Sequence, residues 1–404
     1  MERMGTKEFL LRCKRSQDMR NREIPKGLRD LLPDEVKTRR SLEKKASQIF
    51  TSFGYEEVIT PTFELLEVVE AGVGGNIREK LFLFMDREGG IVSLRPEMTV
   101  SIARLAATHM QDEVLPRRLY YSANVFRHVQ PHLAQYREFW QMGIELLGAP
   151  GAWADAEVIS LAVKALLDFG LENFKVSLNQ IGIFNSLLDD SAIQPEDKQV
   201  IRNLVEKKDL VELSRMLEKL PINDLLKETI ARLPTLHGGL DVLKSLPYIE
   251  KSRNAVIAVE ELMEVYAALK SLGVEEHILV DMGVLRGLDY YTGVVFEGFS
   301  PELGYGLLGG GRYDKLLSQF GFSCPATGFA LGMDRLALVL KNQEEEPPRY
   351  IVGGNNLQVM VQKADELRKE GKIVELDVEG LSRVDLHEKL AACTNYIIIY
   401  LDAE

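Results

Sequence analysis

The sequence predicts an α+β fold: a largely antiparallel sheet flanked by helices, with a helical insertion and a small C-terminal α/β unit. Three observations predict it. Short runs of β-branched and aromatic residues recur between residues 91 and 146 and again between 277 and 299, divided by stretches with helical spacing. From about residue 189 to 267 the pattern changes to heptad-like apolar spacing with dense Glu and Lys. Beyond residue 349, strand and helix patterns alternate in short steps.

The elements follow in order. Residues 1–24 carry several Lys and Arg with few apolar residues and read as an extension outside the core. From Asp34 the stretch VKTRRSLEKKASQIFTSFGY puts Val36, Leu42, Ala46, Ile49 and Phe50 near one helical face, and Gly54 suits a C-terminal cap. In YEEVITPTFELLEVV a short β-branched stretch meets Pro61, which has no N–H to give to a ladder and so belongs at an edge or an interface. Runs at 91–94, 118–126 and 139–146 read as strands of one sheet, with EMTVSIARLAATHM as an intervening helix. After the insertion, HILVDMGVLRGLDYYTGVVFEGF returns to strand, LGGGRYDKLL reads as a glycine-rich turn, and LGMDRLALVL as a helix. The charged, proline-bearing NQEEEPPR at 342–349 reads as a linker. It divides a main domain, 25–341, from a C-terminal one, 350–404, with the order strand, helix, strand, helix, strand.

A chain of 404 residues, 46% hydrophobic and 27% charged, has material for a large core. No run approaches the roughly 18 apolar residues of a membrane span, and the N-terminus lacks the apolar core of a secretory signal. No membrane partner is expected, and the cytoplasm is the expected compartment. Cys13, Cys324 and Cys393 lie far apart and form no CxxC pair, which indicates neither disulfides nor a zinc site. A formal charge of -12 argues against broad attachment to nucleic acid.

If residues 139–145 form a strand, Gln141, Gly143 and Glu145 point the same way. Gly143 then leaves a gap between an amide and a carboxylate, suited to a small zwitterion or an imidazole whose N–H groups need acceptors. A glycine that only eases strand packing fits the same three residues.

Taken together, the helix and strand ending at Pro61, LRPEMT, FRHVQPHLAQYREFWQMGIE, LRGLDYYTG, GGGRYD and GFALGMDRL resemble the histidine branch of the class II aminoacyl-tRNA synthetases. The resemblance runs from about Ile24 to Lys341. It implies the class II synthetase-like fold, and Pro61, at the position of the family's dimer-interface proline, implies a homodimer. It also implies an L-histidine pocket. Glu97, Thr99 and Gln141 match the residues that hold the α-ammonium, and Arg286 matches the one that faces the carboxylate, to which its fork of donors is suited. Glu145 and Tyr291 match the pair that recognises the imidazole, and Tyr290 packs beside them.

The nucleotide side departs from that resemblance. Arg127 and Arg335 remain, holding a residual anion site or pairing with local acids such as Asp334. Val129, Gln130, His132 and Gln135 stand where Glu, Arg, Gln and Arg would be expected, and Leu133 and Ala134 make the loop tip apolar. Each lost charged hydrogen bond is worth roughly 1.5–3 kcal/mol, and about 1.4 kcal/mol is tenfold in rate. Three or four losses would abolish useful adenylation. GGGRYD lacks the GxxxxGKS arrangement of a phosphate loop, and His128 and His132 have no further ligand at metal spacing, so neither cofactor nor metal is expected. Residues 350–404 resemble a shortened anticodon-binding domain with acidic DVEG and DAE segments, which argues against a nucleic-acid partner.

A chain of this family that keeps the histidine pocket and loses adenylation resembles the noncatalytic regulatory subunits of ATP phosphoribosyltransferase. The resemblance implies a hetero-oligomer with the short catalytic subunit of that enzyme, support of its activity, and feedback by L-histidine. The alternative is a histidyl-tRNA synthetase.

Overall fold

The computed structural model describes residues 22–401 except 74, 131–134, 190, 192, 286–289, 341–346 and 394. The expectations for most of the N-terminal extension, for His132, Leu133 and Ala134, for Arg286 and for most of the linker therefore lie outside the described residues. The chain forms two compact units, Met1–Lys341 and Asn342–Glu404.

In the first unit, α1 (Pro33–Ser52) buries Leu42, Ala46, Ile49 and Phe50 at helical spacing. Proline in its first turn has no N–H to satisfy, and Asp34 and Glu35 set negative charge against the helix N-terminus. Val36, in that first turn, is exposed rather than packed with the others. Gly54 ends the helix at φ +80°, a left-handed conformation that glycine adopts without strain. Then come β1 (Glu56–Glu57), β2 (Phe63–Leu65), α2 (Leu66–Val73), β3 (Leu83–Met85), β4 (Ile91–Leu94), α3 (Thr99–His109), β5 (Arg117–Phe126), β6 (Glu138–Leu147) and α4 (Ala152–Asp168). They lead through β7 (Lys175–Gln180) and α5 (Ile181–Asp189) into α6 (Pro195–Glu206), α7 (Leu210–Lys219) and α8 (Asp224–Arg232). The unit closes with β8 (His237–Gly238), α9 (Arg253–Ser271), β9 (Ile278–Asp281), β10 (Val294–Phe299), β11 (Leu308–Arg312), β12 (Ala326–Gly332) and α10 (Met333–Val339).

Nine strands make the main sheet, in the order β1-β5-β6-β12-β11-β10-β7-β9-β8. Among the described residues of this sheet, only the β1–β5 and β7–β9 pairs are parallel. Successive residues of β6 part to opposite faces. Met142, Ile144 and Leu146 join a core built with α1, α4 and α9, while Gln141, Gly143 and Glu145 turn to the face where Leu119, Tyr121 and Val295 pack with α2 and α3. β1 is an edge strand, and Pro61 follows it exposed.

Two expectations change. Residues 91–94 do form a strand, but it is the centre of a separate three-stranded sheet, β2-β4-β3. Alternation fixes that a strand exists, not which strand it pairs with. The glycine run Leu308–Arg312 is a buried central strand rather than a turn. A Cβ at Gly311 would lie 2.5 Å from the Val294 carbonyl oxygen and 2.9 Å from the Tyr291 ring, so the glycine is there for close approach. The helical insertion carries α6, α7, α8 and most of α9, and it also adds to the sheet and the core. Its β8 pairs with β9 at the sheet edge, and α9 buries Ala255, Ala258, Leu262, Val265 and Leu269 in the main core.

In the second unit, β13 (Arg349–Gly354), α11 (Leu357–Lys369), β14 (Ile373–Leu376), α12 (Arg383–Leu390) and β15 (Tyr396–Leu401) form a parallel sheet of order β14-β13-β15. Val352, Met360, Ala364, Leu367 and Val374 make its core. Among the described residues no helix is long and apolar enough to cross a membrane.

Candidate functional site

The sheet register builds the site. Leu119, Glu145, Gly328, Gly311 and Val295 are successive cross-strand partners, and Tyr121, Gly143, Ala330, Gly309 and Glu297 form the next row on the same face. Small residues at the centre of both rows hollow that face. At Gly328 a Cβ would strike the Glu145 carboxylate, so the glycine makes room for the acid. At Gly143 a Cβ would lie 2.5 Å from the Tyr121 hydroxyl oxygen. The gap that Gly143 leaves is therefore occupied by Tyr121, itself 1% exposed.

Glu145 is 1% exposed, and both its oxygens accept hydrogen bonds: Oε1 from the Thr99 hydroxyl at 2.8 Å, and Oε2 from the Tyr313 hydroxyl. Burial pushes its carboxyl up to about 8; the Tyr313 and Thr99 donors oppose the rise, and the nearby Glu97 adds to it. Glu97, also buried, accepts the N–H groups of Thr99 (2.9 Å) and Val100 (2.7 Å) and so caps α3. Burial raises its carboxyl too, against those backbone donors and the Arg127 charge. Tyr290 donates to Glu97 Oε2 at 3.4 Å, and its ring lies 4.8 Å from Tyr291 and 5.8 Å, edge-on, from Tyr313. Burial drives the hydroxyls of Tyr121, Tyr290 and Tyr313 well above the usual phenol range. They remain protonated donors facing two acids. A ring of phenols around desolvated carboxylates is a lining that can discriminate a small ligand by hydrogen-bond pairing, because an unmatched polar group there costs its full desolvation.

Beside this closed cluster lies an open cleft of about 1380 Å³. Gln141, Phe139, Arg127, Gln135 and Arg335 line it, and Gly309, Ala330 and Glu297 are on its sheet side. The sequence-predicted residues thus divide. Glu97, Thr99, Glu145, Tyr290 and Tyr291 gather in the cluster, whereas Gln141, Arg127 and Arg335 stand on the cleft wall. Glu97 and Thr99 spend polar atoms on α3 and on Glu145, so in this conformation they are parts of a network and not open heads. Arg127 donates through Nε to the Pro96 carbonyl at 2.8 Å and sits 5.5 Å over the Phe139 ring. Arg335 donates to the Gly306 carbonyl at 2.6 Å. Asp334 accepts from Arg29 (2.6 Å) and from the Trp140 N–H (2.6 Å). Val129 and Gln135, at positions where the resemblance calls for charge, both line the cleft. Among the described residues no group of three His, Cys, Asp or Glu could hold a metal ion.

The family pattern described as histidyl-tRNA synthetase matches residues 27–336. An ATP phosphoribosyltransferase regulatory subunit of Moorella thermoacetica is 42% identical over 374 residues, covering 92% of this chain and 96% of that protein. The chain belongs to the family of ATP phosphoribosyltransferase regulatory subunits. A histidine–tRNA ligase of Methanocaldococcus jannaschii is 37% identical over 366 residues, covering 88% of this chain and 86% of the ligase. Among solved structures, an ATP phosphoribosyltransferase regulatory subunit/histidyl-tRNA synthetase from Bacillus halodurans superposes with a TM-score of 0.83 at 33% identity, over 95% of this chain and 98% of that one. The fold is accordingly the class II synthetase-like one, shared by regulatory subunits and ligases alike.

Two side chains of the cluster escape sequence reasoning. Tyr313 closes the hydrogen-bond shell of Glu145, and Tyr121 fills the space over Gly143. Tyr121 is the direct cross-strand partner of Gly143, and an aromatic opposite a glycine is a usable signal once the register is known. Tyr313 follows immediately on β11, and its role becomes visible only when that segment is recognised as a strand two places from β6.

Proposed function

We propose that this chain is the noncatalytic regulatory subunit of an ATP phosphoribosyltransferase, that it binds L-histidine at the Glu145 cluster, and that this binding carries feedback to a short catalytic subunit it also activates. One observation carries the reading. A phenol-ringed pair of buried acids, given room by glycine, lies beside a cleft whose wall carries Val129 and Gln135 where the resemblance calls for charged groups. The imidazole would exchange N–H contacts with Glu145 in place of its present hydroxyl donors, Gln141 would take the α-ammonium from the cleft side, and Arg286 the carboxylate. Histidine must favour one assembly state over another, since a ligand of equal affinity for both shifts nothing.

The homodimer belongs to the same proposal. Phe63, Leu65 and Phe84 are each at least 42% exposed. Their positions alternate onto one face of the β2-β4-β3 sheet, with Phe63 and Phe84 ring centroids 5.7 Å apart. Together with Pro61, this face offers apolar surface for a second copy to cover. The protein would work in the cytoplasm, without nucleic acid.

Calorimetry with L-histidine, paired with histidine-dependent ATP–pyrophosphate exchange, tests the reading. Saturable histidine binding with no exchange supports it. Robust exchange, or charging of tRNA, would replace it with a synthetase.

A further inference from the structure

We propose that the groove between the start of α4 and the exposed face of α9 is the docking site for the catalytic subunit, which seats a cationic side chain, Arg or Lys, between Trp153 and Glu264. This inference rests on the regulatory-subunit reading above.

The groove has a volume of about 570 Å³ and is lined by Trp153 from α4 and Glu264 from α9. Trp153 is 86% exposed, an unusual position for the largest apolar side chain. The floor between them is cut low by small residues, Gly151, Ala152, Ala267 and Ala268. Glu264 is the one charged side chain of the lining, and the exposed Glu260 lies one turn before it on α9. An indole face and a carboxylate across a small-residue floor complement a guanidinium or ammonium, which gains cation–π attraction and a charge-assisted hydrogen bond together. Tryptophan and arginine are the residues that most often carry binding energy at protein interfaces.

The groove is also built rigidly and from the ligand site outward. Arg312, 7% exposed, donates to the carbonyl oxygens of Ala149 and Gly151 at 3.2 Å each and pairs with Asp155 at 3.0 Å. It thereby fixes the backbone on which Trp153 stands. The next residue in the chain is Tyr313, whose hydroxyl bonds Glu145. Two adjacent residues thus join the histidine cluster to the groove. A ligand that took over Glu145 from Tyr313 would engage the chain neighbour of the residue that bonds the Ala149 and Gly151 carbonyls.

The test measures association of the full-length protein with its short catalytic phosphoribosyltransferase chain by biolayer interferometry, for the wild type and for Trp153→Ala and Glu264→Lys. Sedimentation velocity and histidine calorimetry are run on each variant. The expected result is association weakened at least about tenfold in both variants, with oligomeric state and histidine affinity unchanged. Association at wild-type affinity in both variants overturns the docking site and leaves the regulatory reading standing. Loss of self-association in the variants overturns it as well, since the groove would then join copies of this chain. A wild-type protein that binds no catalytic chain overturns both.

Discussion

Replacing Glu145 with Gln keeps the shape of the buried head and removes its ionisation. In the folded protein burial raises this carboxyl from the ordinary 4.5 to about 8. A group whose folded pKa lies above its unfolded value contributes stability that is fully present below the unfolded pKa. That contribution falls away as pH rises through the folded pKa. At about 1.4 kcal/mol per pKa unit, the rise from 4.5 to about 8 corresponds to something on the order of 5 kcal/mol. The wild type should therefore lose stability relative to Glu145→Gln as pH rises from about 4.5 to about 8, with the difference level beyond that. Urea unfolding of both proteins at matched pH values gives the difference curve, and subtracting the two removes the titration of groups they share. Parallel stability profiles across this window would refute the claim that Glu145 is held desolvated in the unliganded protein.

Other expectations follow from the same geometry. Glu145→Ala should remove histidine binding measurable by calorimetry while sedimentation shows the dimer intact; unchanged affinity would refute the pocket assignment. Tyr313→Phe removes a donor that opposes the rise of the Glu145 carboxyl, so the stability loss with pH should move to higher pH, and a curve that moves the other way would contradict the network. Gly143→Ala places a Cβ 2.5 Å from the Tyr121 hydroxyl oxygen, and overpacking of this kind costs about 1–3 kcal/mol, which denaturant unfolding should report. Phe63→Glu puts a charge on the exposed apolar face of β2 and should give monomers by sedimentation velocity at micromolar concentration.

Local signals carried much of the fold. The apolar stripe of α1 from Leu42 to Phe50, its Gly54 stop, and the shared parity of Gln141, Gly143 and Glu145 are short-range properties, and each is present in the structure. What stayed hidden depends on partners distant in sequence. The pairing of β4 with β2 and β3 rather than with the main sheet is one case. The glycines of β11 are another: they look like a turn until the Tyr291 ring and the Val294 carbonyl are seen against them. The site divides in the same way. The family resemblance assigned Glu97, Thr99 and Glu145 to one pocket, but Thr99 bonding Glu145 across 46 positions, and Glu97 capping α3, are products of packing. Arg335 reaching the Gly306 carbonyl, and Asp334 turning to Arg29, are likewise set by tertiary neighbours that no local pattern reports.

Sensing of histidine on behalf of another enzyme is the role proposed for this chain. Its most direct test is the rate of ATP phosphoribosyl transfer by the short catalytic chain reconstituted with this protein, measured as L-histidine is added. The expected results are activation by the wild-type protein, inhibition by histidine, and activation without histidine inhibition when Glu145→Ala replaces it. A catalytic chain equally active alone, or histidine inhibition that survives Glu145→Ala undiminished, would contradict it.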